Sequence, residues 1–562
     1  MRHHAHRLAI LLALACTGFA SAAGAATITI VNNDGANEGF NDPTPASPVG
    51  GNNGTTVGQQ RLNVFQYAAN VWGAILPSSV EIRVNSQFNA QTCTATSGVL
   101  GSAGPTQVFR DFAGAPFAAT WYHVALANRL ANSDLAPGSN DINATFNSAI
   151  GGSNCLPQGW YYGFDGNEGA QIDLLPVVLH ELGHGLGFST TTNGQTGTQM
   201  NGLPSVYDRY LFDKSASLHW NQMTDAQRAA SGINCQNLVW DGPQVMAHAA
   251  ERLGPRPLLH VNAPAAIAGD YNVGAASFGP TLTPGGVSGN VVLVVDNVGL
   301  PNNGCETIVN GAQLAGNIAL VDRGACGFAV KVKNIQNAGA IAVIVADSVA
   351  GCPPNGMGGT DPTITIPAVR VTQDVGATLK ANLAAGLNVT MRVDPAQFAG
   401  ADAQGRVLIY TPNPYQGGSS VSHWDTSAEP SLLMEPAITG TLSTDVDLTR
   451  QHFADIGWFQ GLLAAEPNAP VAVQLGASVP NPTPRGATIS YTLAREEDVD
   501  LGIYDLTGRL VAKLVERRMP QGTHSVRWDG TDRDGRALPA GVYQYRLRTD
   551  KVREAKTLVI VR

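Results

Sequence analysis

His180, Glu181 and His184 stand in the order H-E-x-x-H inside the apolar run from Val177 to Phe188. Residues four apart lie on one face of an α-helix, one turn above the other. The two imidazoles can therefore meet one metal ion, and Zn2+ is the ion that suits this pattern. Glu181 sits beside the first of them, placed to take a proton from a metal-bound water. The chemistry open to such a set is hydrolysis. Two histidines do not complete a zinc site, because a catalytic zinc takes three protein ligands and keeps one position open.

The remaining histidines of the exported chain are His123, His219, His248, His260, His423, His452 and His524, and Asp208 and Glu251 are acidic alternatives. Two of the histidines precede a tryptophan, in His219-Trp220 and His423-Trp424. Residue types alone leave the third ligand open among these.

The H-E-x-x-H helix has a readable start and stop. Asp173 suits an N-cap and Pro176 the first turn. Gly187 can take the left-handed conformation that ends a helix sharply. Upstream, residues 27–31 alternate with β-branched side chains and read as a first strand, followed by a Gly-, Asn- and Pro-rich loop over 32–59. Leu62, Phe65, Ala69, Trp72 and Leu76 recur at helical spacing and predict a helix over 60–76. Val80, Ile82 and Val84 predict a half-buried strand, and Ile142, Ala144 and Phe146 another.

A chain of 562 residues exceeds one hydrophobic core, so roughly two to four domains are expected. With 44% hydrophobic and 14% charged residues, 63 Gly and 33 Pro, it is ordered and turn-rich. A net charge of −9 without a Lys/Arg cluster argues against nucleic-acid or anionic-membrane binding. Arg2 and Arg7, the apolar stretch 8–15 and small residues over 21–26 read as a signal peptide over 1–26. Cys16 lacks the upstream aliphatic residue of a lipoprotein site. This leader predicts a secreted or cell-surface location, and no run is long enough to span a membrane. The expected first strand begins almost at the cleavage site, so no pro-segment is expected. Export leaves six cysteines, Cys93, Cys155, Cys235, Cys305, Cys326 and Cys352, which favours disulfides. A Cys93–Cys155 pair is expected, since both precede the H-E-x-x-H helix.

Helix, strands, then a helix carrying H-E-x-x-H-x-x-G resemble the metzincin clan of zinc proteases. One departure is plain: where the common metzincin pattern has a third His, this chain has Thr190, and a hydroxyl is a poor zinc ligand. The run Ser422-His423-Trp424-Asp425, the following Leu432-Leu433-Met434-Glu435-Pro436 and the closing Ala454-Asp455-Ile456-Gly457-Trp458 resemble the leishmanolysin family. In that family the third His follows a long insertion, and a Met-containing turn packs beneath the metal. The resemblance implies His423 as third ligand, Met434 as a structural floor that does not bind metal, and 448–458 as the closing helix. It also implies an edge strand that takes the substrate in extended form; residues 141–147, centred on Asn143, Ala144 and Thr145, are the candidate. A thermolysin-like site using Asp208 or Glu251 would need a second helix with its own Glu motif, which is not found.

His184 and His423 are 239 residues apart, so a domain must lie between them. Strand-like runs at 291–295, 318–321 and 340–345, with a helix over 331–338, alternate β and α. The segments Val321-Asp322-Arg323-Gly324-Ala325-Cys326-Gly327-Phe328 and Ile366-Pro367-Ala368-Val369 resemble a protease-associated (PA) domain. Prolines over 466–484 predict a linker. Six or seven strands beyond it resemble the Ig-like sandwich of flagellar hook-capping proteins. Asp529 to Gly535 is acidic enough to suggest calcium but lacks the closing Glu of an EF-hand loop, and reads as hairpin turns.

The expected fold is multidomain α+β: a metzincin-like domain over 27–258 and 399–465, interrupted by an α/β PA domain over 259–398, then the linker 466–484 and an all-β sandwich over 485–562. The expected activity is that of a secreted zinc endopeptidase acting on protein or peptide substrates, with the C-terminal domain contacting the cell surface or secretion machinery. The rival reading is a non-catalytic binding or adhesion protein on the same scaffold.

Overall fold

Apolar side chains two apart build the first sheet. The structure, a computed structural model, describes residues 25–296, 299, 301–437, 445–460, 474–479, 483, 486–493, 497–505, 509–519, 522–549 and 553–560. Residues 1–24 of the expected leader, with Cys16, and the linker's Pro467 and Pro470 lie outside these. Strands Ile28–Asn32, Ile82–Asn89 and Ile142–Asn147 run parallel in that order, and Gly101–Pro105 closes the sheet antiparallel to Ile142–Asn147. The first helix, Val57–Ile75, buries Phe65, Ala69 and Trp72 as its spacing predicts, while Leu62 is exposed. Phe65 meets Phe40, Phe88 and Phe146 with ring centroids 4.7–5.8 Å apart, which ties the helix to the sheet.

This order corrects the expected substrate strand. Ile142–Asn147 is an interior strand, paired with Ile82–Asn89 on one side and Gly101–Pro105 on the other. The backbone groups of Asn143, Ala144 and Thr145 are spent on those ladders, opposite Gly104, Ala103 and Ser102. The outer strand is Gly101–Pro105, whose sequence GSAGP has neither alternation nor β-branched residues to announce it.

A second small sheet orders Leu218–His219, Leu211–Asp213, Leu238–Trp240 and Val407–Leu408. Its last pairing, Val239 with Leu408 and Trp240 with Val407, is where the chain returns after the insertion. The inserted domain is one eight-stranded sheet from Pro255 to Phe398. At its centre Val287–Leu293, Ile318–Asp322, Ala342–Ala346 and Ala368–Val371 run parallel. Alternate residues of these strands face opposite ways. Ile318 and Leu320 pack with Leu379 of helix Gln373–Ala381, whereas Ala319 and Val321 pack with Val332 and Ile335 of helix Phe328–Asn337. The two ends of the insertion lie together: Pro255 pairs with Phe398, and Ala399 N donates to Gly254 O at 2.9 Å. A long insertion closed at its base costs its host little.

The described chain divides into two compact units. In the second, a three-stranded sheet, Gln474–Val479, Ala487–Leu493 and Gly522–Trp528, and a four-stranded one enclose a core around Ile489, Leu501, Ile503, Tyr545 and Leu558. Gln474–Val479 lies within the stretch expected to be linker. It pairs with Ala487–Leu493, so the sandwich begins before residue 485. Three disulfides join Cys93 to Cys155, the expected pair, Cys235 to Cys352, and Cys305 to Cys326. Among the described residues no helix is long and apolar enough to cross a membrane.

Candidate metal centre

The helix Leu174–Leu186 begins directly after Asp173 and carries Pro176 in its first turn. It ends as expected: Gly187 adopts φ +136°, Gly187 N donates to His184 O at 3.2 Å and Phe188 N to Gly183 O at 3.0 Å. The helix is held closely on both sides. A Cβ on Gly185 would lie 2.5 Å from the Ile142 side chain, and one on Gly183 would lie 2.7 Å from Met434 Sδ. Two indoles bind its backbone, Trp72 Nε1 on Leu179 O and Trp458 Nε1 on Leu186 O, each at 3.0 Å. The second satisfies a carbonyl that the helix end would otherwise leave without a partner.

His423 comes to this helix on an irregular segment tied down by backbone bonds. Tyr410 N donates to His423 O at 2.9 Å, Trp424 N to Met434 O at 2.9 Å and Asp425 N to Leu408 O at 2.9 Å. Val421, two residues earlier, holds φ +74°, a costly value for a β-branched residue. Its N–H bonds to Tyr410 O at 2.8 Å and its carbonyl accepts from Tyr207 Oη at 3.0 Å.

The three imidazoles converge. His180 and His184 Nε2 are 3.1 Å apart, and each is 3.2 Å from His423 Nε2. Each Nδ1 faces a backbone carbonyl: His180 that of Leu433 at 2.7 Å, His184 that of Phe188 at 2.8 Å and His423 that of Ser419 at 2.7 Å. A carbonyl can only accept, so every Nδ1 carries a proton and every Nε2 presents a lone pair. Three inward lone pairs repel one another unless a cation sits among them. Nitrogens spaced in this way suit an ion about 2.0–2.1 Å from each, the Zn–N distance. Burial lowers the basicity of all three, His180 to about 4, His184 to about 3 and His423 well below the usual imidazole value. They are neutral near pH 7, as metal ligands must be. Among the described residues, His180, His184 and His423 are the only such cluster.

Glu181 is buried, and burial pushes its carboxyl up to about 8, opposed by the nearby backbone of Ala103. A dication at the triad would pull the value down again. Gly101 brings the outer strand within 3.1 Å of Glu181 Cγ, measured from a Cβ built on it. Gly101 and Ala103 are thus site residues that the sequence reading missed. Their signal is smallness, which lets a backbone approach the helix. Met434 is fully buried against Gly183, and Leu433, its neighbour, supplies the carbonyl that orients His180.

The other candidates lie elsewhere. Thr190 and Thr192 donate to Asp208 at 2.5 and 2.7 Å, which fixes the loop after Gly187 and uses up that carboxylate. His219 pairs with Asp241 at 2.6 Å. Glu251 is exposed at the end of helix Pro243–Arg252. His452 is buried among Phe188, Tyr207 and Trp240. In the tail, Asp529 and Asp532 accept hydrogen bonds from their own turn residues.

Comparison with known proteins adds two modules. Residues 287–379 match the PA domain and residues 484–551 the FlgD Ig-like domain. The chain is 53% identical over 51 residues to ER degradation-enhancing alpha-mannosidase-like protein 3 of Homo sapiens, covering 9% of this chain and 6% of that protein. It is 32% identical over 148 residues to vacuolar-sorting receptor 1 of Pisum sativum, covering 24% of this chain and 23% of that one. The chain thus spans less than a quarter of the length of either. Among solved structures, a zinc aminopeptidase from Bacillus subtilis aligns at 21% identity and TM-score 0.19, over 27% of this chain and 36% of its own. FlgD from P. aeruginosa aligns at 26% identity and TM-score 0.11, over 13% and 55%.

Proposed function

We propose that this protein is a secreted zinc-dependent endopeptidase of metzincin type, resembling the leishmanolysin family, in which His180, His184 and His423 hold the metal. The observation that carries this is the meeting of three Nε2 lone pairs whose Nδ1 protons are all committed to carbonyls. Zinc in this setting supplies a Lewis acid and a bound water of lowered pKa. Glu181 would serve there as general base and then as proton donor to the leaving amine. The outer strand Gly101–Pro105 pairs with an extended peptide, which lies beside Glu181 because Gly101 brings that strand against its side chain. Met434 and Leu433 hold the floor and the His180 ring. Export to the cell exterior or surface fits three disulfides.

Metal analysis with casein hydrolysis tests the reading. One zinc per chain and cleavage that stops with a chelator and returns with zinc are expected. Stoichiometric zinc without cleavage would favour a non-catalytic scaffold, and absence of zinc from protein purified without chelator would remove the proposal.

A further inference from the structure

A cavity of about 390 Å³ lies where the inserted domain meets the small sheet that receives the returning chain. Its size is that of a small-molecule pocket. Its walls are polar, and its charges do not balance. Lys214 and Arg256 supply two cations and Asp402 one carboxylate.

That carboxylate is already spent. Asp402 is nearly buried and takes Arg406 Nε at 2.8 Å, Arg406 Nη2 at 2.7 Å and the N–H groups of Gln404 and Arg406 at 2.9 and 3.0 Å. Asp213, next to Lys214, is committed to Ser215 and Ala216 at 2.6–3.0 Å. Arg256 is oriented by neutral amides, donating to Gln397 Oε1 at 2.7 Å and to Asn272. Lys214 Nζ has no hydrogen-bond or ion-pair partner among the described residues. Burial lowers the Lys214 pKa; Asp402 and, less, Asp213 oppose this, and Arg406 and Arg256 add to it. Lys214 lies in the field of Asp402, Asp213 and Asp425, but among the described residues neither Lys214 nor Arg256 has a carboxylate within ion-pair distance, so both keep donors free for an anionic ligand.

We propose that this cavity binds a carboxylate-bearing ligand, with Lys214 and Arg256 as its two anchors. Two cations flanked by amides suit a dicarboxylate or an acidic side chain of a peptide, and the volume excludes a folded partner. Leu408 and Ser427 line the cavity and also bind Asp425, two residues after His423. A ligand there therefore rests against the segment that carries the third imidazole.

The experiment is calorimetric titration of the full zinc-loaded chain with succinate and with a tetraglutamate peptide, at constant ionic strength, and with neutral succinamide. Succinate is expected to bind at millimolar or tighter affinity and succinamide not at all. Lys214→Gln and Arg256→Gln should each weaken binding by roughly tenfold, the scale of a lost charge-assisted bond, while Lys214→Arg should retain it. Lys513→Gln, in the tail, should change nothing. Binding of the peptide as well as succinate would identify a peptide side chain as the source, and binding of succinate alone a free small molecule. No binding of either, equal binding of succinamide, or unchanged affinity in both Gln variants with native circular dichroism would overturn the proposal.

Discussion

The candidate centre has two halves made in different ways. His180, Glu181 and His184 share one helix, where the helical repeat alone aligns the two imidazoles. His423 and Met434 lie on irregular backbone 239 or more residues later, where no repeat positions anything. The irregular half is held by cross-bonds instead: His423 O to Tyr410, Trp424 N to Met434, Asp425 N to Leu408. Buried backbone outside regular structure must find such partners. The halves also orient each other. Leu433 of the second sets the His180 ring of the first, and Met434 fills the notch at Gly183. The orientation of His180 is therefore not independent of the distant segment.

Breaking each half should separate chemistry from assembly. Glu181→Gln should lower peptide hydrolysis by about 10²–10⁴-fold, the usual weight of a general base, with zinc content unchanged; full turnover would deny the helix half its catalytic role. His423→Ala and His180→Ala should abolish stoichiometric zinc alike, as read by metal analysis after dialysis. If only His180→Ala did so, the distant half would be no ligand.

The seam between the halves offers finer tests. Gly183→Ala drives a methyl into Met434 Sδ and should cost about 1–3 kcal/mol by denaturant unfolding. Met434→Leu keeps the volume and should cost less than about 1.5 kcal/mol; a larger loss would mean that the sulfur matters beyond packing. Glu435, beside Met434, is pushed up to about 9 by burial, from an ordinary 4.5. Its folded value exceeds the unfolded one, so its contribution is fully present below pH 4.5 and is lost as pH rises through about 9. Glu435→Gln mimics the protonated group. It should leave Tm unchanged near pH 4 and raise it increasingly towards pH 9, and a pH-independent difference would refute the burial argument.

Legibility followed the range of the interaction. The helix start at Leu174, the stop at Gly187 and the strand Ile142–Asn147 are readable because caps and alternation act over a few residues. The outer position in the sheet is not. Gly101–Pro105 looks like loop by composition, and only pairing with Ile142–Asn147 makes it a strand and moves Asn143, Ala144 and Thr145 inside. Gln474–Val479 is similar, a strand hidden among prolines until Ala487–Leu493 pairs with it. Thr190 reads as a gap in a familiar motif, and its partner Asp208 gives it a structural task.

By itself the sequence determined the pair His180 and His184 with Glu181 between them, since helical period needs no long-range information. It also marked His423 and Met434, through resemblance rather than geometry. Only the tertiary structure decided that three imidazoles converge within 3.1–3.2 Å, which carbonyls fix their protons and which strand lies over Glu181. These depend on closing a chain of more than two hundred residues back on itself, and such closure is set by the packing and backbone pairing of distant segments, which no local pattern encodes.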